Sequence, residues 1–255
     1  MSRPPNPTRS LGVMVSTPHE LLRGELARDG SRPLVTFYDD ATGERVELSV
    51  TTFDNWVAKT SGLLRDDLSA DAGDRVGLLL PPHWQSLVWA GACWALGASV
   101  VDSTDDAAVL VTGPDTLQEA AVAGVGEVVA LSLRPLGGRF TEPLPIGVLD
   151  YAVEVPAHPD VFSPYAPPPA HTPAYEMAGQ ELDLGELVAR ARARAEELGV
   201  GDRPRLLVTA DELPDALLDA LLVPLVTGGS AVLVRNERRS GRDERLAAER
   251  VTAVA

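Results

Sequence analysis

Lysine is almost absent from this chain: Lys59 is the only one in 255 residues, and every other of the 22 basic residues is arginine. Chemistry that depends on a lysine ammonium therefore has one residue to use. Cysteine is equally scarce. Cys93 stands alone, which excludes an internal disulfide and fits a reducing cytoplasm. With no His or Lys beside it on an apolar helix face, it reads as a small buried hydrophobe rather than a reactive thiol. The four histidines, His19, His83, His158 and His171, are scattered, so no metal site of recognisable ligand spacing is expected. No apolar run approaches the roughly 18 residues that a membrane-spanning helix needs. Positive charge is in deficit: 22 basic against 37 acidic residues leave a formal charge of −15. Such a surface repels phosphate backbones and anionic lipid, so nucleic acid and membranes are not expected partners.

What is present supports a folded core. A hydrophobic content of 45% in a chain of this length suffices for one large domain or two small ones. Residues 1–16 are polar and proline-rich, are expected to be flexible, and lack the apolar core of a secretory signal. Thr17, Pro18 and Glu20 form a helix start with a capping box, and Gly30 marks its end. Strand-like runs at 34–38 and 45–50 flank a turn and predict a hairpin. An amphipathic helix follows over 51–68, with Lys59 on its polar, water-facing arc.

Residues 73–101 carry the clearest pattern. Arg75 to Leu80 reads as a strand buried on both faces. Pro81-Pro82 stops it, a helix runs from His83 to Leu96, Gly97 ends the helix, and a strand follows at 98–101. This is a βαβ unit, normally right-handed. Three of the four tryptophans, Trp84, Trp89 and Trp94, lie on its helix; at least one is expected to cover a neighbouring helix or an interface. Strand, helix and strand recur at 107–112, 115–123 and 127–131. Between Pro135 and Pro173 lie 10 of the 21 prolines, which predicts an irregular connection, with a short strand at 147–155. Alternation resumes with helices at 184–198, 213–226 and 243–250 and strands at 205–209, 230–235 and 251–254. Arg190, Arg192 and Arg194 face Glu186, Glu196 and Glu197 at pairing distance, which suggests a self-paired surface. The expected fold class is α/β, two lobes of mostly parallel sheet flanked by helices. The lobes are placed at 17–133 and 179–255, joined by a proline-rich connection at 134–178.

Several segments, Arg45 to Trp56, Gly73-Asp74-Arg75-Val76, Gly97-Ala98 and the run from Leu222 to Leu233 with its Gly228-Gly229 pair, stand in an order that resembles AMP-binding, adenylate-forming enzymes such as acyl-CoA synthetases. The likeness extends along most of the chain, roughly the first half of a full-length member, and implies the fold of that half. It implies less about chemistry. That family's phosphate loop is rich in Ser, Thr and Gly and ends in Pro-Lys-Gly; glycine amides and the lysine hold phosphate oxygens. Where the loop is expected, between the lobes, this chain has prolines, which lack the N–H donor. No lysine follows Lys59, so none can take the family's late catalytic role, and the family's later motifs would lie beyond Ala255.

No catalytic residue is therefore assigned. In open α/β sheets ligands gather beyond the carboxyl ends of strands, which singles out His83, Asp102, Ser103, Thr104 and Asp211 as candidates for a cleft. His83 is the most interesting of them; otherwise it is a helix-start side chain facing water. The first reading is a catalytically degenerate, cytoplasmic scaffold that binds a partner protein or small ligand, with no cofactor. The alternative is an AMP-forming acyl-activating ligase with an altered or partner-completed site, in which case ATP or AMP binds if the nucleotide cleft survives. A third reading is a binding module that dimerises through its terminal strand or an exposed tryptophan face.

Overall fold

The computed structural model describes residues 16–255; the flexible stretch expected at 1–16 lies outside them apart from Ser16. The chain forms five layers. A seven-stranded and a five-stranded sheet enclose a middle layer of helices, and one short helix covers the outer face of each sheet.

Local chemistry explains the first elements. Thr17 caps α1 (Pro18–Asp29) with the reciprocal Glu20 contact that its sequence predicts. The hairpin β1 (Pro33–Asp39) and β2 (Glu44–Ser49) pairs antiparallel. Ser49 then caps α2 (Val50–Gly62), which widens into a π-helical turn over Leu63–Asp67. The Thr60 and Ser61 hydroxyls, just before that turn, donate back to the carbonyls of Trp56 and Val57, the kind of contact that loosens a helix.

The central βαβ unit matches expectation. β3 (Arg75–Leu79) pairs parallel with β4 (Ser99–Val101), and α3 (Trp84–Leu96) joins them. Gly97 closes α3 at φ 92°, the left-handed region open to glycine. α3 is buried on nearly every face, as a helix sandwiched between sheets should be. All three of its tryptophans are interior, at 2%, 0% and 1% exposure. The exposed tryptophan face considered from the sequence therefore does not exist: the apolar residues all round α3 let each indole find interior neighbours, and Trp94 donates its indole N–H to the Ala174 carbonyl at 2.9 Å.

β5 (Val109–Thr112), α4 (Leu117–Val122) and β6 (Glu127–Ala130) continue the parallel sheet. The proline-rich stretch holds more structure than expected. The strand predicted at 147–155 is only β7 (Val148–Asp150), because Asp150 caps a short helix, α5 (Tyr151–Glu154). β8 (Pro173–Met177) and β9 (Gln180–Asp183) form a second hairpin, whose β8 pairs with β4. Pro173 is tolerated because it is the first residue of its strand. Ala178 and Gly179, both at positive φ, make a two-residue turn of the mirror-image kind that hairpins favour.

α6 (Leu184–Glu197), β10 (Arg205–Val208), β11 (Ser230–Arg235), α9 (Arg242–Ala248) and the edge strand β12 (Ala253–Val254) follow the sequence reading closely. The predicted helix at 213–226 is α7 (Leu213–Ala216), a π-helical stretch at 217–222 and α8 (Val223–Thr227). Pro224, which has no amide to donate, is accommodated beside that wider turn. On α6, Arg194 pairs with Glu197 as expected, and also forks onto Asp219 of the neighbouring helix at 2.9 and 3.0 Å.

Sheet membership does not follow the expected lobes. The five-stranded order is β12-β10-β11-β1-β2, so the N-terminal hairpin completes the C-terminal sheet through parallel pairing of β1 with β11. The seven-stranded order is β7-β6-β5-β3-β4-β8-β9. Each sheet is parallel but for one antiparallel edge strand.

Candidate functional site

A cleft of about 580 Å3 opens where β3, β4, β5, β8 and β10 all reach their carboxyl ends. That volume lies within the range of small-molecule pockets. Pro81 and Pro82 end β3 at its floor, and Gly113 and Pro114 turn the chain out of β5. Thr116 Oγ1 donates to the Leu79 carbonyl at 2.8 Å and so ties the β5 turn to β3. Asp102, just past β4, accepts the Ala178 amide at 2.8 Å, which locks the β8–β9 turn against the cleft.

Two of the five candidate residues meet here. Asp102 and Asp211 line the cleft. Ser103 and Thr104 do not; the Ser103 hydroxyl accepts the Asp105 amide and shapes the loop after β4. His83 is elsewhere, and it does not face water. It is 1% exposed, stands edge-on to Phe37 with ring centroids 4.4 Å apart, and accepts the Gln85 amide at Nδ1. Its Nε2 is 3.9 Å from the buried Glu44 carboxylate. Burial holds its pKa below the ordinary value, with Glu44 opposing, so the ring is neutral near pH 7. His83 acts as a cap and a core residue; the hairpin that supplies Phe37 and Glu44 closes over it.

Sequence reasoning missed Asp115, Glu212 and Asp215, which bring the carboxylates lining the cleft to five. Among the described residues no lysine, arginine or histidine lines it. Asp115 stands just past the carboxyl end of β5, as Asp102 does past β4, so its position is equally legible in the sequence. Beside the cleft, sharing Ala178, Pro214 and Asp215 with it, is an apolar slot of about 140 Å3 against Trp94 and Leu187. Tyr175 lines the slot, and its hydroxyl pKa is pushed up to about 12 by burial, with Asp102 and Asp215 adding to the effect. Each of these carboxylates repels an anionic group, and among the described residues the lining offers no cation to offset it.

Lys59 is remote from these carboxylates in its contacts. Contrary to the solvated side chain expected, it is 23% exposed, pairs with Asp160 at 3.1 Å and donates to the His158 carbonyl. The proline-rich segment folds back over α2 and captures it. Among the described residues no group of three or more His, Cys, Asp or Glu side chains is placed to hold a metal ion. Among them, too, no helix is long and apolar enough to cross a membrane.

This architecture, two mostly parallel sheets around a helical layer with a cleft at the strand ends, is the fold of the N-terminal half of an acyl-CoA synthetase. An acyl-CoA synthetase from Brucella canis superposes with a TM-score of 0.77 at 18% identity, covering 94% of this chain and 47% of that one. A fatty acyl CoA synthetase from Mycobacterium tuberculosis gives 0.72 at 16% identity, with 92% and 48% covered. The anthranilate CoA ligase AuaEII, solved with anthranoyl-AMP, gives 0.72 at 14% identity, with 93% and 48% covered. The chain thus spans about half the length of these solved structures. No family model matches it. The chain belongs to the TIGR03089 family: it is 41% identical over 237 residues to the TIGR03089 family protein of Mycobacterium tuberculosis, across 90% of this chain and 93% of that protein.

Proposed function

We propose that this chain is a non-catalytic, cytoplasmic relative of the adenylate-forming enzymes, a scaffold that binds a protein partner or a small ligand without activating it. The observation that carries this reading is the cleft lining: among the described residues, five carboxylates and no cationic side chain at the strand ends where an α/β protein binds its ligand. A triphosphate there meets like charge on several sides. At the effective dielectric of a protein surface each such pair costs about 4 kcal/mol at 4 Å. The remaining lysine is committed to Asp160 and the His158 carbonyl.

The test is ATP–pyrophosphate exchange by the purified protein, alongside thermal unfolding with ATP–Mg2+, AMP and a non-hydrolysable acyl-adenylate mimic. The expected result is no exchange and no stabilisation through the cleft. A ligand at 100 times its Kd adds roughly 2.7 kcal/mol, and each kcal/mol raises Tm by about 2–4 °C at this size, so binding would be plain. Detectable exchange overturns the proposal.

A second reading is an acyl-activating ligase completed by another chain. It is favoured by β12, which among the described residues is an edge strand paired on one side only. Exchange activity that appears only with a co-purified protein would select it.

A further inference from the structure

Five arginines, scattered from position 32 to position 250, converge at the end of the five-stranded sheet opposite the cleft. The geometry points to a binding site for a small phosphate-bearing anion in a hollow of about 470 Å3, walled by Arg32, Arg45, Arg203, Arg205 and Arg250. Pro33, Arg205 and Ser230, the first residues of β1, β10 and β11, form its floor. These strands run parallel, so the hollow sits at their amino ends, while Asp211 and Glu212 of the cleft follow the carboxyl end of β10. Five of the 12 lining residues are arginine, against 22 basic residues in 255 overall. In a chain of net charge −15 that concentration is contrary to the general field.

The charges do not all cancel. Arg45 is 3.0 Å from Glu47 and 2.9 Å from Glu249. Arg205 pairs with Glu249 and stands 4.0 Å from Glu47. Arg32 is 2.6 Å from Glu25, outside the lining. Arg203 and Arg250 have no carboxylate within 4.0 Å among the described residues, and both are exposed on the rim. The excess is therefore about two positive charges, which matches a phosphate dianion. Arg205 is held in place by Glu249, by Ser230 Oγ at 3.2 Å and by Thr36 Oγ1 at 3.0 Å, so its guanidinium is already ordered. Arginine's planar fork suits the oxygens of a phosphate.

The backbone supports the same assignment. Arg203 and Arg250 have φ of 53° and 52°, a region that arginine visits only at a cost. Their amides are tied to the Thr227 and Ala247 carbonyls at 3.0 and 3.2 Å, which fixes both turns beside the hollow.

The experiment uses the full chain at fixed ionic strength. Thermal unfolding and calorimetric titration are run with inorganic phosphate, with glycerol 3-phosphate and with chloride as control. Both phosphates should raise Tm saturably and chloride should not. A tighter response to glycerol 3-phosphate would identify an organic phosphate as the ligand, and equal responses would identify the dianion alone. The double substitution Arg203→Asn with Arg250→Asn, Asn being tolerant of positive φ, should weaken phosphate by at least about tenfold, the loss of one good charge-assisted contact. Its melting without ligand should be unchanged. Arg190→Ala with Arg192→Ala on α6 should leave the phosphate response intact. A chloride response equal to that of phosphate would reveal mere screening and overturn the proposal, as would a phosphate response that survives in the Asn double variant. The same variant separates nucleotide held here by its phosphates from nucleotide held in the carboxylate cleft, so this site and the proposed function can fail independently.

Discussion

Lys59 Nζ lies 3.1 Å from Asp160 Oδ1 and donates to the neighbouring His158 carbonyl, so the only lysine of the chain fastens the proline-rich segment to α2. Asp160 is 56% exposed, and water weakens such a pair to well under 1 kcal/mol. The bond to the carbonyl adds about as much again. Lys59→Met, which keeps the stem and removes the charge, is expected to lower Tm by about 2–4 °C, corresponding to about 1 kcal/mol. It should also speed proteolysis near the exposed Val161 and Tyr165. Unchanged melting together with unchanged proteolysis would show that the segment is held by its other contacts.

Cys93 is fully buried within α3. Burial pushes its thiol pKa far above the ordinary value, so both access and ionisation oppose reaction. Native protein should leave a disulfide reagent such as DTNB unreacted at pH 8 and react with one equivalent in denaturant. Rapid labelling of the folded protein would mean that α3 opens without global unfolding.

His83 and His19 make stability pH-dependent in the same direction. Burial lowers both pKa values below 6.5 in the folded state. Around His83 stand Glu44, Arg235 and Asp39; around His19, Asp54, Arg23 and Glu20. The unfolded chain binds the extra protons, so the contribution is complete above pH 6.5 and is lost as pH falls from there toward the folded pKa values. At pH 5.5 each ring still held neutral costs up to about 1.4 kcal/mol. Urea unfolding at pH 7.5 and 5.5 should show the loss, and His83→Gln should remove its own share of the pH difference. An identical pH difference in that variant would exclude His83 as a source.

Much of this was legible from local signals. Thr17, Pro18 and Glu20 specify a helix start by themselves, and the apolar run from Arg75 to Leu80, broken by two prolines, specifies a buried strand. What stayed hidden depends on distant partners. Nothing local in Leu34 to Tyr38 says that this strand will lie against β11 rather than near β3. Pro173 disguised β8, although a proline at the first position of a strand costs no ladder bond. His83 was misjudged because Phe37 and Glu44, which bury it, come from a hairpin more than a helix away in sequence. At the cleft, Asp102 and Asp211 were found because position at a strand end is a local property. The arginine hollow was not, because its members share no sequence neighbourhood and meet only when β1, β10 and β11 are side by side.

Gly77, inside β3, offers the sharpest packing test. A Cβ there would stand 2.5 Å from Leu110 Cδ2 and 2.8 Å from the Ser103 carbonyl. Leu110 can turn away; the carbonyl is backbone in the loop after β4 and cannot yield without moving Asp102. Gly77→Ala therefore introduces overpacking at the floor of the sheet rather than gaining strand propensity. A loss of about 1–3 kcal/mol is expected, seen as a Tm lower by about 2–4 °C for each kcal/mol. Because the strain is relayed to the loop carrying Asp102, the bond from the Ala178 amide to Asp102 should loosen as well, and amide exchange at Ala178 should quicken. An alanine variant as stable as the parent would mean that this loop is softer than its tie to the β8–β9 turn implies, and that the wall of the cleft adapts to what enters it.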